Sequence, residues 1–261
     1  MAGSLSEAEV QFYHQNGYLG IHHPILPPAL FEKLKALSAE KFAEWAEKRE
    51  GVAPSLIDCP HWSDVRLFEF LFAKEILDIV ESLIGSDIAI FACHFLQKPP
   101  QVGKRVPWHE DSAYWNGRLE PIEVASITIS LEPSTKENGC LCVLPGTHRH
   151  GYSDYLPVTN PSNQIFPIEV RPEQRDESHA VAIELEPNHA SFHDARIIHG
   201  SEPNLGTLGR SAFTIRYFPT TVKFVAEKNP NFQIYLARGV DKAGNPYSDP
   251  TKQYPPAGVI A

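Results

Sequence analysis

At 261 residues, with 42% hydrophobic and 21% charged side chains, the chain has an ordinary globular composition that suits one large domain and excludes disorder. A formal charge of -9 offers no global attraction to nucleic acid or an anionic membrane, which need clustered positive charge, so neither is expected as a partner. The N-terminal MAGSLSEAEVQFYHQNGY lacks the basic region and apolar run of a signal peptide, nothing approaches a membrane span, and Cys59, Cys93, Cys140 and Cys142 show no C-x-x-C spacing, so a cytoplasmic protein with reduced thiols is expected.

The first elements read as helices. Ser6 ahead of Glu7, Val10, Phe12 and Tyr13 predicts a capped short helix ended by Asn16-Gly17. Pro28 opens a longer one, with Leu30, Leu34, Leu37, Phe42 and Trp45 at helical spacing, ending before Gly51. A third runs from Lys74 to Leu83 and stops at Gly85. From Asp87 the texture changes to short β-branched and aromatic runs between Pro, Gly and Asn: IAIFACHFL, EVASITISL, CLCVL, AVAIEL and SAFTIRYF. The expectation is a mainly β fold, a double-stranded β-helix (jelly roll, cupin-like) braced by N-terminal helices. Residues 1–261 are read as one domain: mainly helical support over 1–86, a jelly-roll core over 87–219, and an extension over 220–261 with weak periodicity and no assigned structure.

The chemistry begins in Pro107-Trp108-His109-Glu110-Asp111-Ser112. Residues two apart on a strand project to one face, so His109 and Asp111 can share a metal ion. A third ligand is needed, and His199, at the end of the apolar strand-like run Ile197-Ile198-His199-Gly200-Ser201, is the best placed. Two imidazoles and one carboxylate make the facial triad of non-haem Fe(II) oxygenases, with positions left open for an oxo-acid and dioxygen. H-x-D also arises by chance, and 12 histidines offer rival pairs: His148-x-His150, His193-Asp194 and His22-His23 read instead as solvated or hydrogen-bonding groups. His193 lies an even number of residues before His199 and shares its face if the strand is unbroken, as a group close to the metal rather than on it. Arg210, eleven residues beyond His199 (210 − 199), suits the distal carboxylate of 2-oxoglutarate, because a guanidinium forks onto a carboxylate and stays charged when buried; Arg216 competes for that role.

Taken together, Gln97-Lys98-Pro99-Pro100, WHEDSAYW, ENGCLCVLPGTH from Glu137 to His148, and HGSEPN followed by Arg210 resemble the phytanoyl-CoA dioxygenase family of Fe(II)/2-oxoglutarate oxygenases, over about Asn16 to Phe218. The resemblance implies His109, Asp111 and His199 as catalytic iron ligands, Arg210 with Ser201 on the co-substrate's distal carboxylate, and Thr128 and Gln97 among the further co-substrate contacts. It implies Fe(II), 2-oxoglutarate and O2 as cofactor and co-substrates, with release of succinate and CO2. The chain departs from many members in having Glu110 for Gln and Thr128 for Trp. Keeping Asp111, which related halogenases replace by a small residue, implies a hydroxylase acting on an unactivated C-H bond.

Tyr114, Trp115, Arg149 and Tyr152 are the expected substrate contacts, the substrate being a small molecule, and the family name does not extend to phytanoyl-CoA itself. Two other classes of protein fit the composition. A jelly-roll metalloenzyme with non-oxidative chemistry would keep the metal and have no use for Arg210. A non-catalytic small-molecule-binding module would tolerate loss of the ligands. The residues leave oligomeric state open.

Overall fold

A computed structural model describes residues 4–48 and 55–255. The stop expected at Gly51, residues 1–3 of the N-terminal segment and residues 256–261 of the extension lie outside them. Helix α1 (Glu7–Asn16) starts on a capping box in which Ser6 and Glu9 satisfy each other's backbone N–H groups, an arrangement worth about 1 kcal/mol. It ends at Gly17, whose φ of 80° is left-handed; a side chain there would also meet the His148 ring. Strand β1 (Tyr18–Ile21), helix α2 (Pro28–Glu47), strand β2 (Leu56–Asp58), and helices α3 (Phe68–Leu71) and α4 (Lys74–Ile84) follow. The first 86 residues are therefore not helical alone. β1 and β2 are four and three residues long, too short to declare a period of two, and both acquire their conformation by pairing with distant strands.

The β region comprises β3 (Ile88–Lys98), β4 (Val106–His109), the single-turn α5 (Asp111–Trp115), β5 (Leu119–Glu120), β6 (Ala125–Ser130), β7 (Leu141–Val143), β8 (Tyr155–Pro157) and β9 (Ile168–Val170). It continues through β10 (Val181–Ile183), β11 (Ala190–Asp194), β12 (His199–Ser201) and β13 (Arg210–Pro219). The extension is not shapeless: β14 (Lys223–Phe224) pairs with β5, and β15 (Tyr235–Arg238) adds an edge beside β3. Two antiparallel sheets organise the molecule as a mainly β jelly roll braced by helices. The larger has the order β1-β11-β6-β13-β3-β15, with β2 also on β3; the smaller is β10-β7-β12-β4.

Alternation along the large sheet decides what goes where. Ile127 and Ile129 of β6, Phe213, Ile215 and Tyr217 of β13, and Phe192 of β11 are fully buried in the main core. There α4 covers β6 and β13 with Ile76, Ile79 and Val80. Each such side chain contributes roughly 1.5–3 kcal/mol by leaving water. The intervening residues, Thr128, Arg210, Ala212, Thr214, Arg216 and His193, take the other face, where a cavity lies between the two sheets.

Candidate metal centre and its cavity

β4 ends at His109; Glu110 stays extended (φ −112°, ψ 127°), and Asp111 begins α5. The expected strand thus carries only the first of the two residues. Their common direction survives because Glu110 is extended, while its own side chain turns the other way. There Glu110 accepts hydrogen bonds from Ser153 Oγ (2.9 Å), Ser153 N (3.2 Å) and Tyr155 Oη (3.2 Å), and its N–H donates to Tyr155 Oη at 3.0 Å. This accounts for Glu110: it anchors the loop after Gly151 and does not face the cavity.

His199 lies at the start of β12, not at the end of a strand. The run before it breaks after Asp194, and β11 and β12 belong to different sheets. β12 pairs with β4 so that His199 and His109 are direct partners, with ring centroids 4.2 Å apart. Ligand-capable atoms of His109, Asp111 and His199 all lie within 4.8 Å of one another, and all three residues are buried. Each imidazole is oriented from behind: His109 Nδ1 donates to the carbonyl of Pro107 (2.8 Å) and His199 Nδ1 to that of Ile197 (3.0 Å). Both therefore turn a bare Nε2 inward, as metal-binding histidines do. Two imidazole nitrogens and a carboxylate fit a non-haem iron and leave part of an octahedron open.

Electrostatics agree. Burial opposes the charge on Asp111, but Arg216 beside it, with His109 and His193, overrides that and holds the carboxyl well below its ordinary range. Burial, reinforced by His109 and His193, keeps His199 neutral, the form in which a nitrogen lone pair is available. His193 faces His199 from the opposite sheet, with rings 4.6 Å apart and Nε2 3.5 Å from Asp111 Oδ2; neither ring nitrogen has a hydrogen-bond partner among the described residues.

Arg210 and Ser201 line one end of the cavity. Arg210 is buried, donates through Nη1 to the Gly139 carbonyl at 2.5 Å, and has no partner for Nε among the described residues. An orphaned guanidinium N–H inside a cavity is what an anionic guest would satisfy. Gly139 has φ +76°, and a side chain there would strike the Glu202 carbonyl, so a larger residue could not shape this seat. Ser201 Oγ accepts from Lys98 Nζ at 2.6 Å, which leaves its own proton free to donate. Lys98 is completely buried, and burial with Arg210 nearby lowers its pKa to about 6. Thr128 lines the cavity and shares a 3.0 Å hydrogen bond with Thr214.

Arg216, the competitor for the anchor, is not a second seat at that end. It reaches Asp111 through Nη2 (3.2 Å to Oδ1) and Nε (3.3 Å to Oδ2), and Nη1 meets His94 Nδ1 at 2.5 Å. Its guanidinium lies 5.0 Å from the Trp115 ring centroid. Tyr114 and Trp115 line the cavity as expected. Arg149 and Tyr152 do not: both project to solvent from the loop that follows Gly146. Gln97 is not among the residues lining the cavity, to which β3 contributes Phe91, Ala92, His94 and Leu96. Sequence reasoning missed His94, Leu56, Asp58, Ile165 and Phe166 in the wall. For His94 the signal was available, since it alternates with the core residues Cys93 and Phe95.

The sequence pattern of the family described as Phytanoyl-CoA dioxygenase (PhyH) matches residues 13–212. The chain is 30% identical over 152 residues to a phytanoyl-CoA dioxygenase domain-containing protein 1 homolog of Dictyostelium discoideum, covering 57% of this chain and 53% of that protein. It is thus matched to about half of that relative's length. To the peroxisomal phytanoyl-CoA dioxygenase of Homo sapiens it is 28% identical over 240 residues, 84% of this chain and 70% of that one. Among solved structures, a non-heme monooxygenase, ThoJ in its apo form, superposes with a TM-score of 0.72 at 21% identity, over 92% of this chain and 87% of the other, a likeness of fold.

Proposed function

The chain belongs to the phytanoyl-CoA dioxygenase family of Fe(II)- and 2-oxoglutarate-dependent oxygenases, and from that premise we propose that it hydroxylates an unactivated C-H bond of a small molecule, with His109, Asp111 and His199 holding Fe(II). The observation that carries the assignment is the convergence of those three side chains within 4.8 Å, each imidazole offering a bare Nε2 to one buried space. Bound iron supplies dioxygen activation, so that one oxygen atom enters the substrate as hydroxyl and the other enters succinate as 2-oxoglutarate loses CO2.

The chain's own residues bind and orient. Arg210, whose Nε–H is unpaired, takes the distal carboxylate of 2-oxoglutarate, Ser201 adds its hydroxyl proton, and Thr128 shapes the wall between this seat and the metal. Gln97 does not line the cavity and is not assigned a co-substrate contact. The reacting carbon lies against Tyr114, Trp115 and Phe166, whose apolar surfaces keep water from the open side. Arg149 and Tyr152 are outside this wall and are left out of substrate binding. Retention of Asp111 supports hydroxylation rather than halogen transfer, since a carboxylate stands where a halide would need room.

The test is succinate release from 2-oxoglutarate under air with added Fe(II), in wild type and in Asp111→Ala and His199→Ala. Iron-dependent succinate formation that either substitution lowers at least about a hundredfold is expected, beyond the roughly 10–100-fold cost of losing an outer partner. Near-wild-type turnover in Asp111→Ala would remove Asp111 from the site.

A further inference from the structure

His94 lines the cavity and belongs neither to the metal triad nor to the co-substrate seat. Arg216 Nη1 lies 2.5 Å from its Nδ1, and a guanidinium can only donate, so Nδ1 accepts and the ring carries its proton on Nε2. Burial, with Arg216 beside it, likewise keeps the ring neutral. Nε2 has no hydrogen-bond partner among the described residues and, unlike the ring nitrogens of His193, it is not sealed from the cavity. The result is one N–H, oriented from behind and open to a guest.

This donor stands close to the metal ligands, because the guanidinium that holds His94 also reaches both oxygens of Asp111, at 3.2 and 3.3 Å. Asp58 is the cross-strand partner of His94 and lines the cavity with it. A donor beside a carboxylate matches a hydroxyl, whose oxygen accepts from Nε2–H while its own proton goes to Asp58. An anionic group is a poorer match: Arg216 is already committed to Asp111 and His94, and Asp58 repels it. Leu56, Phe91, Leu96 and Trp115 make the surrounding wall apolar.

Resting on the assignment of this cavity to an Fe(II)/2-oxoglutarate oxygenase, we propose that the substrate is a neutral alcohol whose hydroxyl is held by His94 Nε2 and Asp58, with the oxidised C-H close to that hydroxyl and the rest of the molecule on the apolar wall. His94 is then a specificity-determining residue. A bare alkyl chain in the same place leaves the Nε2–H unpaired, and a site built to bond a hydroxyl rejects the analogue that lacks it.

The test uses protein loaded with Mn(II) in place of iron, with 2-oxoglutarate and without dioxygen, and reads how strongly the ion broadens the proton NMR lines of an exchanging probe. Cyclohexanol, methylcyclohexane and cyclohexanecarboxylate share one ring and differ in the group it bears. At equal concentration cyclohexanol is expected to be broadened about tenfold more than either of the others, the advantage of one hydrogen bond. His94→Phe should remove that preference, and His94→Gln, whose amide can accept from Arg216 and donate to the probe, should keep it. Equal broadening of methylcyclohexane in wild type would overturn the proposal, as would a preference undiminished in folded His94→Phe or no broadening of any probe. A 2-oxoglutarate affinity that falls in His94→Phe as far as the cyclohexanol affinity would also overturn it, by handing the N–H to the co-substrate. If His94→Phe does not fold, Zn(II)-loaded wild type decides: the His94 Nε2 resonance shifts on adding cyclohexanol if the proposal holds, and an unmoved resonance overturns it. Failure of the underlying assignment would show separately, as Mn(II) bound by Asp111→Ala as tightly as by wild type, or as absence of succinate release from wild type.

Discussion

His109 and His199 are usable as ligands because each commits its Nδ1 proton to the carbonyl two residues back, so the nitrogen facing the cavity is the bare one. Arg210 is proposed as the 2-oxoglutarate anchor on similar grounds: among the described residues it has a carbonyl partner and no carboxylate. Arg210→Ala is expected to remove about 2 kcal/mol of charge-assisted binding, raising the 2-oxoglutarate concentration for half-maximal turnover roughly thirtyfold with a smaller change in kcat. An unchanged requirement, measured by succinate release, would move the anchor elsewhere. Lys98 behind Ser201 adds a pH signature. Burial, then Arg210, depresses its pKa from 10.5 to about 6, so between those values the unfolded chain binds the extra proton and stability from this residue rises with pH. The burial cost is fully present below about pH 6. Melting temperatures of wild type and Lys98→Met should therefore diverge in favour of wild type from pH 6 to pH 9; a constant difference would show that Lys98 titrates normally.

β13 shows how much an element says in advance. SAFTIRYF reads as a strand, and its alternation correctly separates the core residues Phe213, Ile215 and Tyr217 from the cavity residues Arg210, Ala212, Thr214 and Arg216. Both arginines share one parity, so sequence alone could not say which end meets the metal; pairing with Lys98 at one end and Ala92 at the other decides it. Helix α5 and strands β1 and β2 were not legible, being too short to show a period and held by tertiary contacts. The turn that separates His193 from His199 was likewise hidden in a run that looks continuous. Glu110 links β4 to the loop that reaches β8, and Glu110→Ala would strand the Ser153 and Tyr155 donors. A loss of about 2 kcal/mol, roughly 4–8 °C in Tm, is expected in thermal unfolding; an unchanged Tm would mean the loop is held by other contacts.

Two sheets and their helices divide the labour of the whole molecule. The outer face of the large sheet is packed by α4 and the main core, and that back holds the inner face still enough to carry two arginines and two histidines into the cavity. The jelly roll and the helical brace were readable from the change of texture at Asp87, because a switch from helical to alternating periodicity survives any uncertainty in strand pairing. That the extension supplies an edge strand was not, since Tyr235–Arg238 is ordered by β3 rather than by its own pattern. Among the described residues no helix is long and apolar enough to cross a membrane. If one cavity brings iron and 2-oxoglutarate together, anaerobic titration of the Fe(II)-loaded protein with 2-oxoglutarate shows it without turnover. The predicted result is a weak visible charge-transfer band on chelation in wild type that is lost in His199→Ala. Iron demonstrably bound to wild type with no band at saturating 2-oxoglutarate would contradict it.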